Sequence, residues 1–532
     1  MRRTRLWGVL FAAILCALPS VALAEMKVTY NLGVEPRTVD PARANANDQQ
    51  IVIFNTYEGL VRPDQGGEMQ PGAAEKWEVS DDQLTWTFHL REGLKWSDGK
   101  PLTAGDFRYG FIRAMSADTA CPYATTTFFI KNAEKLFKGK CSPDEVGIEA
   151  PDDRTLVLHL EYPSPLILNY LSFITFMPSR QDIVEKDPTG WTSAMPIVSN
   201  GPFYVSEWRH NSQMTLKKNP NYWDAADVKL DELRFLMIVD TNTALTAFKA
   251  GDVDLLSTLP AMMTPSLLAS GEAKTLPSLG TYFVIFNTKQ EPFNNPKVRR
   301  AFALALDRKT LVEKVTQGGQ RPAVAFISDG IPGADPKGAD FRGEDPTKYL
   351  PVSADADQAK KLLAEAGYPD GKGFPHVTFM YNTNPLNKSL AEAFQAMWKK
   401  NLGIDVELQN QEWKVYLETT HSHHFQMGRM AWTPDFNDPT DMMELWTTQN
   451  YENTPAWSNA EYDKAMSAAR GEMNRAKRFS LLHEAEKVLM DELPISPVYF
   501  YSINYMLKDY VKGVYLSPLA WILFRDAYVV EH

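Results

Sequence analysis

The residues best suited to chemistry lie between Arg429 and Trp446, in the run RMAWTPDFNDPTDMMELW. Asp435, Asp438 and Asp441 crowd a turn stiffened by Pro434 and Pro439, and a short strand is expected to end just before it at Trp432. A carboxylate fixed on a rigid loop beside an indole can receive a cationic ammonium group. The same residues also read as a polar loop in which Asp435 or Asp438 serves as a turn or cap residue. Local sequence leaves both readings open.

Other chemistry finds little support. The chain has no H-E-x-x-H, G-x-S-x-G, Walker A or dinucleotide-glycine pattern. Gly371-Lys372-Gly373 precedes a strand instead of following one, so it is no cofactor fingerprint. His421, His423 and His424 could suggest a metal site, but no cysteine or second spaced pair completes a tetrahedral set. A polar loop between a helix and a strand is the expectation there. No metal, cofactor or catalytic residue is expected.

The elements that must position the acidic turn are of α/β type. Leu84, Trp86, Phe88 and Leu90 alternate as in a half-buried strand, and Thr103 with Asp106 can cap the helix that carries Phe107, Phe111 and Ala114. Asn294 or Asn295 caps a helix with Pro296 in its first turn. The run from Ala359 to Ala366 is another helix, stopped by Gly367 and Pro369. Val377 to Tyr381 reads as a strand, Leu390 to Trp398 as a helix ending near Gly403, and Ile404 to Leu408 as a second strand. Strand, helix and strand so closely spaced form a βαβ crossover and argue for a parallel pair.

Arg2, Arg3 and Arg5 precede an apolar stretch from Trp7 to Leu18 and an Ala22-Leu23-Ala24 cleavage site, the pattern of a signal peptide over residues 1–24. An uncleaved anchor and a lipoprotein attached at Cys16 are the alternatives; Leu15 suits the lipid site poorly. Cleavage takes the formal net charge from −11 to −14, so overall charge attracts neither nucleic acid nor anionic lipid. A chain of 532 residues implies two or three domains. Its 13 tryptophans and 21 tyrosines are many; some must lie in cores, and aromatic walls around organic ligands use them too. Cys121 and Cys141 are the cysteines left after cleavage, and an even count in an exported chain predicts a bridge between them. Two unpaired thiols are the alternative.

The run LTWTFHLREGLKWSDGKPLTAGDFRYGFIRAM, from Leu84 to Met115, resembles the motif of the large extracytoplasmic solute-binding proteins of the peptide and nickel class of ABC importers. AEKWEVS, NGPFYVSEW, NPNYWD, PFNNPKVRRAFALALDR, KKLLAEAGYP, KKNLGIDVELQNQEWKVYLE and PISPVYFYS extend the likeness to periplasmic oligopeptide-binding proteins along the whole mature chain. The resemblance implies a two-lobed periplasmic-binding-protein-like fold with mixed sheets, an extra domain and a hinged ligand cleft. Lobe I would hold 25–57, 181–280 and 503–532, the extra domain 58–180, and lobe III 281–502. It implies a monomeric periplasmic receptor, without catalysis, that delivers short peptides to inner-membrane ABC transporter permease subunits.

Site residues follow from the same likeness. In the W-x-x-D-[YF]-N-x-P motif the aspartate holds the peptide ammonium, which here falls on Asp435. The motif tryptophan is Trp432, the tyrosine of a Pro-Tyr-Ala run is Tyr123, and the arginine three residues before the tryptophan is Arg429. Some members bridge the motif cysteine to an earlier strand; Thr433 and approximately Gly280 stand at those places. Asn45 replaces a frequent glutamate, and Asn387 a histidine that helps hold longer peptides. Rival readings are a binder of another solute on the same fold (a murein peptide, nickel chelate, haem or opine) and a periplasmic chaperone or hydrolase.

Overall fold

A computed structural model describes residues 25–64 and 67–531; the expected signal peptide lies outside them. Its backbone is organised around a mixed sheet of eleven strands. From one edge the order runs Val406–Gln411, Val377–Asn382, Met427–Trp432, Lys274–Phe286, Ile495–Leu507, Leu255–Leu256, Lys27–Asn31, Glu232–Leu236, Gln213–Lys218 and Phe203–Arg209. Arg321–Pro322 pairs off this path with Ile495–Leu507. Lys274–Phe286 and Ile495–Leu507 are 13 residues each and antiparallel. Their pairing breaks register between Pro277 and Thr281. On one side of that break Thr281 to Phe286 pair with Met427–Trp432. On the other, Met506 and Leu507 pair with Leu255–Leu256, which lies beside Lys27–Asn31. Two half-sheets are therefore joined through two long strands.

Local chemistry explains the elements around them. Val377–Asn382 and Val406–Gln411 are parallel neighbours. The helix Pro385–Leu402 crosses between them and stops at Gly403, whose φ of 74° suits a residue without Cβ. Asn295 caps Pro296–Leu304, its side chain accepting the Lys297 amide N–H at 3.0 Å. A separate antiparallel sheet of four strands holds Ala74–Val79, Thr85–Leu90, Thr155–His159 and Ile148–Asp152 in that order. Trp86, Phe88 and Leu90 face its core, and the helix Ala104–Met115 begins with the capping box of Thr103 and Asp106. Among the described residues no helix is long and apolar enough to cross a membrane.

The expected Cys121–Cys141 bridge is absent: both thiols are free. Cys121 is buried with Ala114 and Ala124. Cys141 follows the short helix Ala133–Phe137, and its Sγ–H donates to the Asn132 carbonyl at 3.6 Å. An even cysteine count in a chain expected to be exported makes a bridge chemically permissible. Forming it requires matched Cβ vectors and Cα atoms within roughly 7 Å, and only the intervening fold sets those.

Candidate ligand-binding site

Met427–Trp432 lies inside the sheet, antiparallel to Lys274–Phe286 and parallel to Val377–Asn382. It ends at Trp432, opposite Thr281. The chain then turns through Thr433 to Asn437 and enters the helix Pro439–Glu444. Asp438 caps that helix, accepting the Thr440 amide N–H at 2.9 Å. Arg478 grips the same carboxylate, with Nη1 at 2.9 Å, and its Nη2 donates to Thr440 Oγ1 at 2.5 Å. The cap reading thus falls on Asp438, whose charge is fully engaged.

Asp435 is placed differently. With Trp432, Phe436 and Asp441 it lines a cavity of about 390 Å³. The opposite wall comes from the segment between Tyr123 and Phe176. Tyr123 packs edge-on against Phe173 at 4.9 Å, and Tyr170 edge-on against Phe436 at 5.3 Å. Asp441 accepts the Trp432 indole N–H at 3.0 Å, so its carboxyl fixes the ring, and the Asp435 backbone amide beside it favours the ionised form.

The cavity is electrostatically incomplete. Among the described residues no cation pairs with Asp435, and burial raises its carboxyl from 3.8 to about 6. Asp441 is pushed well above the usual carboxylate range, by burial first and by the nearby Asp435 charge second. Tyr123 rises to about 12 through burial and then through the charges of Asp435 and Asp441. Arg470 also lines the cavity, but its Nε is committed to Glu444 at 3.1 Å. Such a site favours a cation, which would restore both carboxylates and meet the aromatic faces.

Three of the six predicted ligand contacts, Asp435, Trp432 and Tyr123, thus meet in one cavity. The other three do not line it. Arg429 is 8% exposed and stacks over Tyr282 at 4.8 Å. Its Nη1 donates to Asn382 Oδ1 at 3.1 Å, and its Nε finds no hydrogen-bond acceptor among the described residues. Asn387 donates to the same Asn382 oxygen at 2.9 Å. Thr433 is exposed beside Gly280, where a Cβ would stand 2.5 Å from its hydroxyl. Asn45 is exposed, its backbone N–H donating to Gln49 Oε1 at 2.9 Å. Asp441, Phe436 and Tyr170 also line the cavity; the sequence marks Asp441 as the third acid of the turn and Phe436 as the aromatic of the motif, while Tyr170 carries no local signal.

The histidines are engaged locally. His421 pairs with Glu452 at 3.1 Å, His423 with the Thr454 carbonyl at 2.9 Å, and His424 with Ser422 at 3.2 Å. Among the described residues no group of three or more His, Cys, Asp or Glu could hold a metal ion. Another cavity, about 430 Å³, is lined by Tyr57, Arg62, Tyr222, Trp521 and Arg525. There Arg62 pairs with Glu58 at 3.1 Å and Arg525 with Asp224 at 3.2 Å, so that surface calls less strongly for a charged guest.

Residues 68–454 match the family described as bacterial extracellular solute-binding proteins, family 5 middle. The oligopeptide-binding protein OppA of Bacillus subtilis (strain 168) is 38% identical over 511 residues, covering 94% of this chain and 93% of that protein. The solved MppA periplasmic murein tripeptide-binding protein, in its unliganded open form, superposes with a TM-score of 0.84 at 34% identity, covering 96% of this chain and 98% of that one. Haemophilus influenzae OppA in complex with RPPGFSPFR gives 0.71 at 32% identity, covering 96% and 99%. This backbone is thus nearer the open form than the peptide complex. The chain belongs to the family 5 bacterial extracellular solute-binding proteins, and is a solute receptor, not an enzyme.

Proposed function

We propose that this protein is a periplasmic receptor for short peptides, exported by a cleaved signal peptide over 1–24, that delivers its ligand to an inner-membrane ABC transporter. The observation that carries the reading is the Asp435 carboxylate, half-buried beside Trp432 and Tyr123 with no basic partner among the described residues. A peptide ammonium supplies the missing charge. Arg429 supports the same reading from the other sign. It is a nearly buried guanidinium with no carboxylate partner among the described residues, and it suits an anionic group of the ligand. The peptide backbone would be held by strand-like hydrogen bonds, which tolerate many side chains.

In this reading 25–57, 181–280 and 503–532 form one lobe, 281–502 the facing lobe and 58–180 the extra domain. Lys274–Phe286 and Ile495–Leu507 are the hinge, flexing where their register breaks between Pro277 and Thr281. Closure would dry the cavity and strengthen the end-charge pairs. A murein peptide is the second reading, kept open by the 34% identity to the murein tripeptide-binding protein; it too presents an ammonium. Native mass spectrometry of the purified protein, followed by calorimetry on ligand-stripped protein, tests the proposal. A bound peptide mass and binding of free tripeptides that N-acetylation weakens are expected. A non-peptide ligand, with no tripeptide binding, would overturn it.

A further inference from the structure

Four carboxylates line the Asp435 cavity: Asp435, Asp441, Glu444 and Glu452. Two are engaged, Glu444 by Arg470 at 3.1 Å and Glu452 by His421 at 3.1 Å. Just behind the loop, Arg478 takes Asp438. Asp435 and Asp441 remain. The donor that reaches Asp441, the Trp432 indole, is a neutral N–H group that orients the carboxyl and supplies no counter-charge. One ligand ammonium balances Asp435; burial then favours the protonated form of Asp441 until a second cation beside it stabilises the carboxylate. Around the two acids stand the rings of Tyr123, Tyr170, Trp432 and Phe436, a setting suited to the stem and head of a long cationic side chain.

We propose that Asp441 makes this receptor selective for peptides whose first residue is basic: the α-ammonium meets Asp435 and the side-chain cation meets Asp441. The inference rests on the amine-binding reading of Asp435 and adds a second charge to it. The competing account of the same geometry gives Asp441 a positioning role alone, holding the indole.

Calorimetry on the ligand-stripped full chain separates these accounts with three tripeptides: Lys-Ala-Ala, norleucine-Ala-Ala and Ala-Ala-Lys. Norleucine keeps the aliphatic stem and lacks the charge. Ala-Ala-Lys has the net charge of Lys-Ala-Ala at the wrong end. Lys-Ala-Ala is expected to bind at least about tenfold tighter than norleucine-Ala-Ala, and Ala-Ala-Lys should not share the gain. In Asp441→Asn the ratio of lysine to norleucine should fall to within about twofold, and in Asp441→Glu the preference should persist.

Equal affinities for the lysine and norleucine peptides in wild type would overturn the inference whether or not any variant folds. A gain shared by Ala-Ala-Lys would also overturn it, since attraction to the whole acidic chain then suffices. So would Asp441→Asn weakening both peptides with the ratio intact, the signature of positioning. Asp435→Asn distinguishes the two levels of failure. If it weakens all three peptides while wild type shows no lysine preference, amine binding stands and the Asp441 inference falls. If it leaves all three unchanged, the amine-binding reading itself falls.

Discussion

Asp435 carries the functional argument, and its cost is measurable without any ligand. Burial raises its carboxyl from 3.8 to about 6. A carboxyl whose folded pKa lies above its unfolded value binds more protons when folded. The stability it contributes is therefore present at low pH and lost as pH rises from about 4 through about 6. Asp435→Asn should stabilise the ligand-free protein at pH 7 by ~1–2 kcal/mol, after allowance for its partial exposure, and the gain should vanish below about pH 4. Thermal unfolding of both proteins across pH checks this; a stabilisation independent of pH would contradict the ionisation account. The same substitution should weaken binding of a free tripeptide by ~2–5 kcal/mol, because it leaves the ligand ammonium poorly compensated. N-acetylating the peptide should cost a comparable amount, and the two losses should not add, since they remove one interaction. Additive losses in calorimetry would mean that a different acid receives the ammonium.

At the scale of elements, the end of the Met427–Trp432 strand depends on a close approach. A Cβ at Gly280 would lie 2.5 Å from Thr433 Oγ1 and 3.1 Å from both the Trp432 carbonyl and the Tyr501 ring. Gly280→Ala should therefore destabilise by ~1–3 kcal/mol, and adding Thr433→Ala should recover part of the loss by removing the nearest atom. Denaturant unfolding of the two variants decides it; a single substitution without effect would mean that the strand ends have room. The free cysteines give a second test. Burial lifts the Cys121 thiol to about 11, while Cys141 is less enclosed. Iodoacetamide added to native protein without reductant should label Cys141 well before Cys121, with both labelled after unfolding. Recovery of a linked pair from periplasmic protein would restore the bridge that the sequence suggested.

For the whole molecule, the relevant property is the relation between two half-sheets joined by two strands. The backbone fits the open, unliganded relative at 0.84 and the peptide complex at 0.71. Peptide binding should therefore reduce the radius of gyration measured by small-angle scattering on ligand-stripped protein. Asp435→Asn should need more peptide to reach the same compaction, because a ligand shifts an open–closed equilibrium only by its differential affinity for the two states. An unchanged radius at saturation, with binding verified by calorimetry, would count against a hinged cleft.

Much of the architecture was legible in the residues. Period-two alternation marked Thr85–Leu90, Thr103 and Asp106 marked the start of Ala104–Met115, and Gly403 marked the end of Pro385–Leu402. These signals act between neighbours in the chain, so a sequence expresses them directly. The motif run from Trp432 to Pro439 located the acidic loop through resemblance. Which aspartate was spoken for and which stood open depended on Arg478, a residue of another helix that takes Asp438 and leaves Asp435 without a cationic partner among the described residues. Tyr123 shares a cavity with Trp432 because the chain folds its early segment across from the acidic loop. The unpaired thiols have the same origin, since an even count suggests a bond that their placement does not make. Turns, caps and periodicity are settled within a few residues of backbone. Counter-charges, cavity walls and thiol spacing are set by segments far apart in the chain, and packing alone brings those together.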